Sequence, residues 1–231
     1  MGRTTLLTVL LLAFLAGPLW AQETARERAR ATLSPTVFGE VEALAIQADR
    51  DGIPSAPLFN KALEGMAKGV PAERLVPAVN AYAARLRVAH RAFGSSSSPS
   101  LVTAGADALQ RGVEAEALGR LGRGEGGGPG PSPMAVLVLA DLVEAGVPAD
   151  RALGVLQEAL RMRAREQQML GIPGQVRQLM RQGQSPQEAA DRVRRALQRG
   201  RGGGGVGPPV PPGSEPVTQD RQRQMKGRGG G

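Results

Sequence analysis

The chain contains no cysteine, and only one histidine, one tyrosine and one tryptophan among 231 residues. Without cysteine there is no disulfide framework, no thiolate nucleophile or metal ligand, and no lipid anchor on a cysteine. The single histidine, His90, has no second imidazole or thiolate with which to build a zinc site or a Cys–His pair. Aromatic residues make up 3% of the chain, so a core must come from Leu, Val and Ala. No Gly-Lys-Ser or Gly-Lys-Thr provides a phosphate loop, and no Gly-x-Ser-x-Gly elbow presents a serine nucleophile. The stretch "GRGEGG" from Gly122 runs into Pro-Gly-Pro where a dinucleotide loop needs a helix, so it reads as linker. Hydrolysis by two carboxylates needs only that two acids meet in the fold, but no spacing selects a pair.

Net charge is also missing from most of the chain. Residues 161–231 hold fourteen Lys or Arg against five Asp or Glu, a net +9, whereas residues 1–160 are close to neutral. Arg far outnumbers Lys, beside abundant Ala, Gly and Pro, which is what a GC-rich bacterial genome produces at weakly constrained positions. The candidate anionic-surface contacts are therefore Arg192, Arg194, Arg195, Arg199, Arg201, Arg221, Arg223, Lys226 and Arg228. The Arg-Gly clusters of this region also match nucleic-acid-binding tails, except that residues 94–231 offer no aromatic side chain for bases to stack on.

The start, "MGRTTLLTVLLLAFLAGPLWAQETARE", places Arg3 before an apolar run from Leu6 to Ala16. This is the pattern of a secretory signal peptide, with cleavage expected near Ala21 and export to the periplasm or beyond. The run is shorter than the ~20 apolar residues that a spanning helix needs.

What the sequence has in quantity is a punctuation mark. "AKGVPAERLVPAV" from Ala67 is repeated as "EAGVPADRALGVL" from Glu144. Gly after a helix takes the left-handed conformation at no steric cost, the following Val folds back on the last turn, Pro suits the first turn of the next helix, and the acid lies at its positive end. Related connections start at "DGIPSAP", "RGVEAEA" and "QGQSPQEAA", the last with Ser185 and Glu188 spaced as a capping box. Ser-Pro recurs as a helix start at Ser34, Ser98 and Ser132. Between these marks apolar residues step by three and four, as in Val76, Val79, Ala83, Leu86, His90 and Phe93, or Ala149, Leu153, Leu156 and Leu160. Pro77 falls one turn inside a helix, which predicts a kink or a fresh helix there.

The expected fold is all-α: short antiparallel helical hairpins in two sets joined by a Gly/Pro-rich linker, with a disordered C-terminal tail. The boundaries are 1–21 signal peptide, 22–121 first hairpin domain, 122–133 linker, 134–200 second hairpin domain and 201–231 tail. His90 reads as a packing residue near a helix C-terminus. Residues 186–199 read as a basic amphipathic helix whose apolar side, Ala189, Val193, Ala196 and Leu197, packs on "QVRQLMRQG" instead of lying on a membrane. The expected function is an exported, non-enzymatic protein presenting hairpin surfaces to a protein or cell-envelope partner, with no metal and no small-molecule cofactor. The alternatives are an anionic-surface or nucleic-acid binder through the basic C-terminal region, and a carboxylate-dependent envelope hydrolase.

Overall fold

The computed structural model describes residues 17–124 and 130–200, with side chains from Ala25 to Arg199. Among the described residues there are ten helices and no strand. They are α1 (Gly17–Thr32), α2 (Pro35–Arg50), α3 (Ala56–Ala67), α4 (Ala72–Phe93), α5 (Pro99–Gln110), α6 (Ala115–Gly122), α7 (Pro133–Glu144), α8 (Ala149–Arg161), α9 (Glu166–Arg181) and α10 (Pro186–Gly200). None of them is long and apolar enough to cross a membrane.

Five connections, residues 68–71, 111–114, 145–148, 162–165 and 182–185, are four residues long and built alike. The second residue of each has positive φ: Gly69, Gly112, Gly146, Arg163 and Gly183. Its N–H bonds the carbonyl three residues back, as from Gly146 to Val143 at 2.9 Å. The N–H after it reaches five residues back, as from Val70 to Gly65, Val113 to Ala108 and Val147 to Leu142, all at 3.0 Å. These bonds satisfy the last carbonyls of one helix while the chain turns into the next. The third residue then precedes the cap of the following helix, and the sixth residue after the positive-φ position is always buried: Leu75, Leu118, Ala152, Met169 and Ala189. In four of the five an apolar side chain, Val70, Val113, Val147 or Ala164, thus closes the old helix and sits where it can staple the new one; the fifth has Gln184 there. The repeated Gly-Val-Pro of the sequence is this device.

Arg163, at φ 51, is the member of the set that carries no glycine. The Ser-Pro starts behave as expected, since the hydroxyls of Ser34, Ser98 and Ser132 accept N–H bonds from Val37, Leu101 and Ala135 at 3.2–3.4 Å. The Ser185 capping box is present too: its N–H donates to Glu188 at 2.9 Å and the Glu188 N–H returns to its hydroxyl at 3.3 Å. The Ser185 N–H and then the Ser185 hydroxyl, which also donates to the Glu188 carboxylate at 2.8 Å, hold that carboxyl below its usual value. Pro77 starts no new helix; α4 runs continuously through it. Pro173 lies inside α9 in the same way.

Helices pack on the helix two further along the chain, α1 on α3, α2 on α4, α4 on α6, α5 on α7, α6 on α8, α7 on α9 and α8 on α10. Consecutive packing of α3 on α4, α4 on α5, α7 on α8 and α9 on α10 ties the resulting rows together. Two apolar clusters result. One joins α1–α5 around Val41, Leu58, Val79, Leu86 and Val102. The other joins α5–α10 around Leu118, Leu139, Leu142, Leu153, Leu156 and Ile172. Phe93 and Leu109 pack against both.

Across the stretch 122–133 one apolar cluster continues from α6 to α7. Leu118 and Leu121, before it, share a cluster with Val136 and Leu139, after it. Arg111 at the end of α5 also reaches across to Asp141 and Glu144 of α7. The expected linker's residues 125–129 and the expected tail, 201–231, lie outside the described residues.

Candidate binding surfaces

Three places on this array carry chemistry. The first is a cavity of about 230 Å³ where the end of α2, the 51–55 connection, the end of α4 and the start of α5 meet, lined by Asp49, Gly52, Ile53, Pro54, His90, Ser97, Pro99 and Val102. Asp, His and Ser are together here, but not as a catalytic relay. The Ser97 hydroxyl donates to the carbonyl of Gly94 at 2.7 Å. His90 is half-buried, as the expected packing role requires, and its Nδ1 is buried with no hydrogen-bond partner. Among the described residues no group of three or more His, Asp or Glu is placed to hold a metal ion.

The second is an open groove of about 550 Å³ between α2 and α4, lined by Glu40, Ala43, Leu44, Val76, Pro77 and Asn80. Its floor is the half-buried pair Leu44 and Val76. Pro77 has no N–H to give the carbonyl of Glu73, so that acceptor is left without its helical donor beside the groove. The sequence pattern placed Val76 on the inward stripe of α4. Its Val79, Ala83 and Leu86 are buried, together with Leu75, Tyr82 and Ala89, whereas Val76 is half-buried, packed at the margin of the same cluster where it lines the groove.

On the far side of α4 the only tyrosine, Tyr82, is buried beneath Lys61 and Arg85, whose charges lie 6.0 and 5.7 Å from its ring centre. Burial, then the charge of nearby Asp107, pushes its phenol up to about 12. Burial raises the Asp107 carboxyl as well, against the opposing pull of Lys61 and the Tyr82 hydroxyl. Glu64, bonded by Lys68 and Lys61, is held low. This cluster links α3, α4 and α5.

The third is α10. Its register on α8 is a constant forty residues: Arg151 Nη1 to Asp191 at 3.1 Å, Gly154 under Arg194, and Gln198 to the buried Glu158 at 3.3 Å. The apolar side of α10 consists of buried Ala189, Ala190 and Val193 with half-buried Leu197, packed on α8 and α9. Ala196, expected on that side, is exposed. Of the candidate anionic-surface contacts, Arg192, Arg195 and Arg199 are exposed on α10. Arg194 is half-buried against Gly154 and 3.9 Å from Asp191. Arg201, Arg221, Arg223, Lys226 and Arg228 lie outside the described residues.

No family model, no curated protein and no solved structure matches this chain. Its function has to be argued from these surfaces.

Proposed function

We propose that the chain is an exported, non-enzymatic helical protein that binds a protein or cell-envelope partner through the surfaces of its helix pairs. The observation that supports this is the groove between α2 and α4, where Ala43, Leu44, Val76 and Pro77 leave an apolar trough open to solvent between the polar side chains of Glu40 and Asn80. An apolar floor with a few polar groups at its margin suits a partner side chain and its flanking backbone. Export rests on Arg3 and the apolar run behind it. Loss of residues 1–21 leaves the core contacts of Ala25 and Ala29 in the mature chain.

The test uses mature protein from residue 22, immobilised and exposed to envelope extract from the producing cell, beside Leu44→Glu and Val76→Glu, both first checked for helix content by circular dichroism. A component retained by the parent and lost with both variants supports the reading. Identical retention by all three overturns it. Turnover of peptidoglycan or glycan substrates by the parent would overturn the non-enzymatic half, and an intact mass that still includes Met1 would overturn export.

A further inference from the structure

Each step along the row α6, α8, α10 carries an arginine on the inner helix bonded to an acid on the outer one. Arg120 of α6 reaches Asp150 of α8 at 2.6 Å. Arg151 of α8 reaches Asp191 of α10 at 3.1 Å. On α10 the face toward α8 is the stripe Asp191, Arg194 and Gln198. One residue further round the helix lies a parallel stripe, Arg192, Arg195 and Arg199, spaced by three and four so that the side chains share one side. All three are exposed, and no described residue pairs with them. Where the steps from α6 to α8 and from α8 to α10 each meet an acid, the last described helix offers three guanidinium groups.

We propose that this stripe is the docking site for an acidic helix of a protein partner, which adds to the row as α8 and α10 do. The spacing spans about 10 Å, the rise of seven helical residues, so a helix bearing carboxylates at the same interval matches it. Arginine favours such a partner because its planar fork takes a carboxylate with two parallel bonds. A lipid surface fits less well, because Ala189, Ala190 and Val193 are already buried in the array and leave α10 no apolar edge to insert. The chain's own residues 201–231 carry net positive charge, five Lys or Arg against two Asp or Glu, which disfavours them as the source of the acid. This site is separate from the α2–α4 groove and stands or falls independently of it.

The experiment measures anisotropy of three labelled Ala-based helical peptides binding to the mature chain. One carries Glu at three positions spaced by three and four, the second carries the same Glu residues spread round the helix, and the third replaces the Glu stripe by Lys. The parent is expected to bind the Glu stripe about tenfold more tightly than the spread arrangement, and the Lys stripe not at all. The triple variant Arg192→Gln, Arg195→Gln, Arg199→Gln should lose that preference with unchanged helix content. A variant with Arg221, Arg223, Lys226 and Arg228 changed to Gln should keep it. The proposal is overturned if striped and spread peptides bind alike, if the tail variant carries the loss, or if anionic vesicles or single-stranded RNA bind the parent and the triple variant equally well while the Glu stripe binds neither.

Discussion

Gly146 and Arg163 occupy the same place in two copies of one connection, at φ 88 and φ 51. A side chain at positive φ crowds its own backbone, which costs an ordinary residue about 1–2 kcal/mol and a β-branched one more. Gly146→Val should therefore lower stability by about 2 kcal/mol, and Arg163→Gly should raise it by roughly 0.5–1 kcal/mol after the glycine's extra unfolded-state entropy is set against the relief of strain. Urea midpoints moving in opposite directions would bear this out; a neutral Gly146→Val would contradict it. Tyr82 permits a second residue-scale test, because it is the only tyrosine in the chain. Its folded pKa lies above the unfolded value of about 10, so burial of the neutral phenol contributes stability that is complete below that value. The contribution is lost as pH rises toward about 12. Absorbance at 295 nm should titrate near 10 in urea and well above it in the native protein, and Tyr82→Phe should blunt the alkaline loss of stability. A native midpoint near 10 would mean that the ring is not buried.

At the scale of elements, the small residues decide which helices can approach. A Cβ on Gly105 of α5 would lie 2.8 Å from the Cβ of Ala89 and 2.6 Å from the ring of Phe93, both on α4. One on Gly122 would lie 2.8 Å from the Ala92 carbonyl oxygen. Both α5 and α6 thus meet α4 through glycine. Gly39, inside α2, has nothing within 4 Å. Gly39→Ala should stabilise by about 0.5–1 kcal/mol through helix propensity alone, whereas Gly105→Ala should destabilise by about 1–2 kcal/mol because overpacking outweighs the same gain. Thermal melts of the two variants should shift in opposite directions, and a stabilised Gly105→Ala would disprove the close crossing. The glycines of the connections were legible in the sequence because a helix end has a local signature. Gly105 was not, because its reason is a partner on another helix. Arg163 was missed for want of a glycine, although the apolar residue six positions on, Met169, was the signal to use.

For the whole molecule, the two clusters share Phe93 and Leu109, and α5 contributes buried residues to both, Val102 and Ala106 to one and Leu101 and Ala108 to the other. A mature chain ended at residue 124 would expose Val113, Leu118 and Leu121, the apolar faces that α7 and α8 cover. Such a fragment should show weakened helix, lose the sharp urea transition of the parent and bind a hydrophobic dye. Duplicating residues 125–129 in the full chain lengthens the connection 123–132 by half and should cost only about 0.4 kcal/mol, since loop closure entropy grows slowly with length. A fragment that melts as sharply as the parent would restore the two-domain division. Sequence alone determined the all-helical class, the glycine-bearing connections and the serine caps, because hydrogen bonding at a helix end and steps of three and four are properties of neighbouring residues. It also determined where the excess positive charge lies along the chain. Only the tertiary structure decided that the core crosses the Gly/Pro stretch, that Val76 lines a groove, and that Arg192, Arg195 and Arg199 stand clear of Arg194 on α10. Those are relations between residues far apart in the chain, set by which helix packs on which, and no local pattern encodes them.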